Sequence, residues 1–157
     1  MTITTEGIVL KQVKTGSDRS ILTIFTKKLG KIQAATNIGK KNNKYSAATN
    51  PFTFGKYYLY KGNEIYNING TDAIKAYYKV GENIEKYACC SYVLELTDKV
   101  MMDNLPASNM FDLLVDFFEI IENRNKDFMF LVHAFEIKIL IYCGIVPQLN
   151  HCIDCGK

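Results

Sequence analysis

The chain spells out none of the common catalytic signatures. It has no glycine-rich phosphate loop, no nucleophile elbow and no HExxH helix, so phosphoryl transfer, serine hydrolysis and zinc proteolysis have no motif to rest on. Asp112, Asp116 and Glu119 share one helical face at i, i+4, i+7. No second carboxylate helix or matching histidine accompanies them, and they read as a solvated acidic face; no enzyme is expected. Met1 to Lys14 lacks an apolar core with a cleavage site, so no secretory leader is expected. The longest apolar run, Phe128 to Cys143, is broken by His133, Glu136 and Lys138. It is too short and too charged to span a bilayer and reads as a buried core helix. Five cysteines without a secretory leader point to a reducing compartment, the cytoplasm, with thiols free or metal-bound. Internal repeats and low-complexity tracts are missing too.

What is present is a division of charge. The formal net charge is only +3, yet residues 1–75 carry 12 Lys+Arg against 4 Asp+Glu, and residues 76–157 carry 7 against 12. Opposite balances in two halves suggest two modules, the basic one seeking phosphate.

The patterning divides at the same place. Gly7 to Lys14, Arg19 to Lys27, Lys31 to Ile38, Phe52 to Lys61 and Glu64 to Asn69 are strand-like runs rich in Ile, Val, Thr, Phe and Tyr, separated by turn residues. Five short strands with one longer loop suit a small closed barrel, of the OB or the SH3-like kind. After Thr71 the period lengthens. Ala73 to Lys79 starts a short helix, Glu82 to Met102 is a long one, and Asn109 to Asn123 follows with Ser108 as its N-cap. Phe128 to Cys143, capped by Asp127 and ended by Gly144 with Pro147 beyond, is apolar nearly all round and is expected in the middle of the bundle. The expected fold is therefore α+β, with a β-barrel domain over 1–75, a helical domain over 76–147, and a cysteine-bearing segment over 148–157.

Several residue sets suit binding. Gly39-Lys40-Lys41-Asn42-Asn43-Lys44-Tyr45 puts three lysines and a stackable ring in one loop, which could equally be a solvated loop kept polar. Arg19, Lys27, Lys28 and Lys31 lie near neighbouring strand ends in any small meander. Phe52, Phe54, Tyr58 and Tyr60 place rings on one face with Lys56 between them; Phe52 and Phe54 also read simply as core. Cys152-Ile-Asp-Cys155 is half of a tetrahedral zinc knuckle, and the missing second pair suggests a truncated piece of something longer. A redox reading would need a strand before the motif and a helix after it. Cys89, Cys90, Cys143 and His133 read as core or boundary residues.

In their order and spacing these segments resemble the RecO family of bacterial DNA repair and recombination proteins. The resemblance rests on Gly7-Ile8-Val9-Leu10-Lys11, Gly16-Ser17-Asp18, Leu29-Gly30-Lys31-Ile32, the basic loop, Pro51-Phe52 and Leu59-Tyr60-Lys61-Gly62. In the second half it rests on Tyr92-Val93-Leu94-Glu95-Leu96, Phe135-Glu136-Ile137-Lys138, Cys143-Gly144 to Pro147, and Cys152-Ile-Asp-Cys155-Gly156. It implies an N-terminal five-stranded OB-fold, a helical domain and a zinc finger. It further implies binding of single- and double-stranded DNA, strand annealing, and action with RecR. Engagement of the acidic tail of single-stranded-DNA-binding protein and help in loading RecA are implied as well. On that footing Arg19, Lys27, Lys28, Lys31, Lys40, Lys41 and Lys44 would supply charge, and Tyr45 and Tyr58 stacking. Cys152 and Cys155 would be two ligands of a zinc site that this chain leaves incomplete. An adaptor whose basic barrel binds an acidic protein partner remains open beside this reading, as does a thiol- or zinc-dependent enzyme.

Overall fold

A computed structural model describes residues 2–15, 19–36, 47–146, 150 and 155. Strands β1 (Thr2–Thr15), β2 (Arg19–Thr26), β3 (Gly30–Thr36), β4 (Thr53–Lys61) and β5 (Tyr66–Ala76) close a barrel in the order β1-β2-β3-β5-β4. The β3–β5 pair is parallel and the other pairings are antiparallel, the Greek-key closure of an OB-type barrel. Helices α1 (Tyr78–Gly81), α2 (Ile84–Val100), α3 (Ser108–Asn123) and α4 (Phe128–Tyr142) follow.

β1 holds two partners because it is long and bent. Residues 2–8 pair with β4, residues 7–15 pair with β2, and the register slips between Val9 and Lys11. A slip of this kind bends the strand and re-aims its side chains. Four successive residues, Gly7 to Leu10, are buried, which an alternating strand achieves only when both faces are covered. Val9, Leu22, Ile24, Ile32, Ala34, Tyr57, Leu59 and Ile68 fill the barrel. Ile8, Leu10 and Phe25 point the other way, into a core shared with the helices. Gly7 is needed where it stands: a Cβ there would lie 2.8 Å from Ile24 Cγ2 and 3.2 Å from the Tyr57 ring.

The helices cover that outer face with aromatic side chains. Phe111 packs on Phe25 and Phe54 with ring centroids 5.9 and 6.0 Å apart. Phe118 meets Tyr77 at 5.1 Å and Phe52 at 6.1 Å, while Tyr87 meets Phe52 edge-on at 5.3 Å. Phe52 takes φ 61°, a left-handed conformation costly for an aromatic residue. It is held by its ring contacts and by the Tyr77 backbone N–H donating to its carbonyl at 3.0 Å.

Three expectations need correction. Ala73 to Lys75 are not helical: β5 runs on to Ala76, with Thr53 opposite Ala76 and Phe54 opposite Lys75. The free edge of β4 supplies hydrogen-bond partners there, and pairing overrides local preference. Ser108 and Asp127 cap nothing with their side chains, since α3 begins from Ala107 and Asp127 takes φ 57°. Finally, α4 is not in the middle of the bundle. It buries Phe128, Val132, Phe135 and Ile139, while Met129, Phe130, Ile137, Leu140 and Ile141 stay exposed, Phe130 at 66%. Among the described residues its neighbours lie on one side. Its C-terminus behaves as expected: Gly144 has φ 78° and the Ile145 N–H donates to the Leu140 carbonyl at 2.9 Å, a left-handed stop.

β3 is docked on the α2–α3 connection. The Asn104 N–H donates to the Lys31 carbonyl at 2.8 Å, and Gly30, at φ 73°, lies so close that a Cβ would sit 2.0 Å from the Leu105 carbonyl oxygen. Gly30→Ala combines a left-handed alanine with a backbone clash, so urea denaturation should register a loss of about 2 kcal/mol or more. A loss under about 0.5 kcal/mol, the range of inert surface changes, would show that the α2–α3 connection yields freely.

Candidate nucleic-acid interface

The fold disperses the cations that the sequence grouped. Lys27 and Lys28 lie in the β2–β3 turn, which Thr26 closes by donating from Oγ1 to the Gly30 carbonyl at 2.9 Å and accepting from the Leu29 N–H. Lys27 Nζ then reaches α3 and bonds Asp112 Oδ1 at 2.8 Å. That hydrogen bond, with the charge of Asp112, raises the Lys27 pKa. Lys31 is drawn in further. Its side chain is 14% exposed, and Nζ donates to the Asp98 carbonyl at 2.6 Å, with Asp98 Oδ1 at 3.5 Å and Asp103 Oδ1 at 3.3 Å. Lys31, proposed from sequence as a phosphate contact, is thus placed in the seam between barrel and helices. Lys75, at the end of β5, pairs with Glu119 and with Glu122 at 3.3 Å on α3.

Arg19 stands exposed at the start of β2, opposite Thr15. Lys28 has its backbone pinned, its N–H donating to Thr5 Oγ1 at 3.3 Å. Tyr58 is on the outer face of β4, where its hydroxyl donates to Asp72 Oδ2 at 2.9 Å. That bond, with partial desolvation, raises the phenol pKa. Lys40, Lys41, Lys44 and Tyr45 lie outside the described residues, and so does Cys152. Cys155 is exposed. Among the described residues no group of three His, Cys, Asp or Glu side chains could hold a metal ion. Cys152 and Cys155 are donors of the right kind for zinc, but they are half of a tetrahedral set.

The four-ring face resolves into two roles. Phe52 and Phe54 enter the shared core. Tyr58 and Tyr60 remain at the surface, with Lys56 Nζ 6.0 Å from the Tyr58 ring. Residues 11–15 of β1 are all exposed, an arm that runs beyond the last β4 pairing at Ile8 while its β2 partners Leu22 and Ile21 stay buried or half-buried. This arm carries Lys11, Lys14 and Arg19, none of which forms an ion pair among the described residues. Sequence reasoning did not single out Lys11 or Lys14. The signal was a run of polar residues after the apolar Gly7 to Leu10, which marks a strand leaving its core. Of the remaining thiols Cys143 is exposed, which corrects its reading as a core residue, while burial pushes Cys90 up to about 12 and raises Cys89, so neither of that buried pair is a ready thiolate. His133 is exposed and bonded to Glu136 Oε2 at 2.9 Å.

The arrangement defines a class first: a closed five-stranded barrel fused through a common core to a helical bundle, displaying cations on the exposed end of the β1–β2 hairpin. Sequence comparison then gives the lineage. Residues 1–77 match the family model for the recombination protein O N terminal part, and residues 81–157 match that for its C terminal part. The chain belongs to the RecO family. It is similar to proteins named DNA repair protein RecO. That of Alkaliphilus metalliredigens is 32% identical over 100% of this chain and 64% of its own length. Those of Acetivibrio thermocellus and Clostridium acetobutylicum are 30% and 33% identical over 98% and 96% of this chain, and 61% and 62% of their own lengths. The chain therefore spans less than two thirds of the relatives it matches.

The seam has a testable pH dependence. Hydrogen bonds from Lys75 and then Tyr77 lower the Glu119 pKa. A carboxylate so depressed stabilises the fold above the unfolded value of about 4.3 and loses that contribution as pH falls through the folded value. Glu119→Gln should cost no more than about 1 kcal/mol at neutral pH, because the pair is partly exposed. The difference from wild type should shrink below about pH 4 and vanish once both states are protonated. An equal difference at all pH values would mean that shape rather than charge holds this contact.

Proposed function

We propose that this chain is the DNA-binding portion of a recombination mediator in DNA repair, acting in the cytoplasm without bond-breaking chemistry. The observation that carries the reading is the exposed arm with Lys11, Lys14 and Arg19. Lys27, Lys31 and Lys75 are paired with carboxylates of the helical half, whereas Lys14 and Arg19 have no ion-pair partner among the described residues and Lys11 feels the Glu95 carboxylate of α2 without pairing with it. Family membership supplies the nature of that anion, since the relatives are named as DNA repair proteins. Positive side chains on the barrel lower the repulsion between two phosphate backbones, and sequence-tolerant contacts let strands search for register, which is what annealing requires. On this reading the loop Lys40, Lys41, Lys44, Tyr45 adds charge and a stacking ring. The partners are single- and double-stranded DNA, RecR and the acidic tail of single-stranded-DNA-binding protein, with RecA loaded indirectly. Cys152 and Cys155 would contribute two thiolates to a structural zinc site whose other ligands lie elsewhere.

The rival reading is an adaptor that binds an acidic protein and ignores DNA. Titration of a labelled oligonucleotide at several salt concentrations separates the two. DNA binding should weaken steeply with salt. A Lys11→Ala/Lys14→Ala/Arg19→Ala variant should flatten the log–log salt slope by about 0.7 for each single-strand phosphate it no longer neutralises. No binding at low salt would favour the adaptor, and an unchanged slope would remove the arm from the interface.

A further inference from the structure

A second cationic feature lies away from the arm. Thr4, Thr5 and Glu6 of β1, Lys27 and Lys28 of the β2–β3 turn, and Lys56 of β4 line a cleft of about 360 Å³. Its walls are fixed by backbone bonds. The Lys27 N–H donates to the Glu6 carbonyl at 3.0 Å, and the buried Thr5 hydroxyl accepts from the Lys28 N–H and donates to the Glu6 carbonyl. Glu6 and Lys56 are directly opposite across the β1–β4 pairing, so one carboxylate tempers three ammonium groups. Neither Lys28 nor Lys56 forms an ion pair among the described residues. The third ammonium, on Lys27, is bonded to Asp112 from outside the cleft.

We infer that this cleft is a subsite for one backbone phosphate of a DNA strand, and that Asp112 competes with the phosphate for the Lys27 ammonium. The two interface lysines differ in whether they can be exchanged. Lys31 has three oxygen acceptors within 3.5 Å and a 14% exposed side chain, so releasing it strands a mostly buried charge. Lys27 has one partner, and the pair is 43% and 53% exposed, a surface contact that water and salt already weaken. A phosphate entering beside Lys28 and Lys56 brings a full negative charge to a place where Lys27 needs only to swing from α3 to meet it. Asp112 thereby holds the site at lower affinity than its lysines alone would give. It is a positioning residue contributed by the helical half, and its side chain need not touch DNA.

This inference rests on the DNA-binding reading above, and one experiment tells their failures apart. Binding of a labelled oligo-dT strand is measured against salt for wild type, Asp112→Asn, Lys27→Ala and the double variant, with thermal melting to confirm folding. Asp112→Asn should bind roughly two- to fivefold more tightly at low salt, with a slope steeper by about 0.7, one additional phosphate neutralised. Lys27→Ala should erase that gain, leaving the double variant equal to Lys27→Ala alone, and Lys28→Ala and Lys56→Ala should each weaken binding and flatten the slope. If wild type binds and Asp112→Asn matches it, the competition is disproved while the DNA-binding reading stands. A gain that persists without Lys27 also disproves it, because Asp112 would then act through its general field. If wild type binds no strand at low salt, both readings fall together.

Discussion

The structure depends on the apolar seam between the outer face of the barrel and the helices. Ile8, Leu10 and Phe25 leave the barrel interior, Phe52 and Phe54 lead in from the start of β4, and Tyr77 closes the end of β5; Phe111, Phe118 and Tyr87 receive them. Burying a side chain of this size contributes on the order of 2 kcal/mol, so this set outweighs the ion pairs around it. A five-stranded barrel of some 75 residues is small, and small domains bury a low fraction of their surface. Sharing a core with α2 and α3 supplies what the barrel interior cannot.

The seam changes the meaning of the charge division. Part of the excess of cations in the first half answers the excess of carboxylates in the second, through Lys27 with Asp112, Lys31 with Asp98 and Asp103, and Lys75 with Glu119 and Glu122. These pairs set the register of the two halves more than they stabilise them, since most are partly exposed. Of the acidic stripe of α3, expected from sequence to face solvent, Asp112 and Glu119 instead meet lysines of the barrel. The cations left over, on the β1–β2 arm and in the cleft beside Lys28 and Lys56, are the ones to consider for an external anion.

The interior of the helical half is equally specific. Lys86 is 6% exposed, yet its ammonium donates to the Glu122 carbonyl at 2.8 Å and lies 5.6 Å from the Phe128 ring centroid. A buried lysine is tolerated where such partners replace water, and here it fixes α2 against α3 and α4. The outer face of α4 carries six large apolar or aromatic side chains in solvent, Tyr142 among them. An all-round apolar helix has the composition for neighbours on both sides, and the described residues supply them on one.

The sequence by itself determined the number and type of most elements. Alternation in Arg19 to Lys27 and Phe52 to Lys61, the change of period after Thr71 and the Gly144 stop are local patterns, and local patterns survive without knowledge of the fold. The ordered segments, from Gly7-Ile8-Val9-Leu10-Lys11 to Cys152-Ile-Asp-Cys155, carried the family in the same way. Tertiary structure alone decided which lysines stay available, because a long flexible side chain pairs with whatever carboxylate the fold brings within a few ångströms. Asp112 is 85 residues from Lys27 in the chain and 2.8 Å away in space. It also decided that Ala73 to Lys75 form strand, since the partner for their backbone is the edge of β4. Periodicity reports which residues avoid water; it does not report which charges find each other.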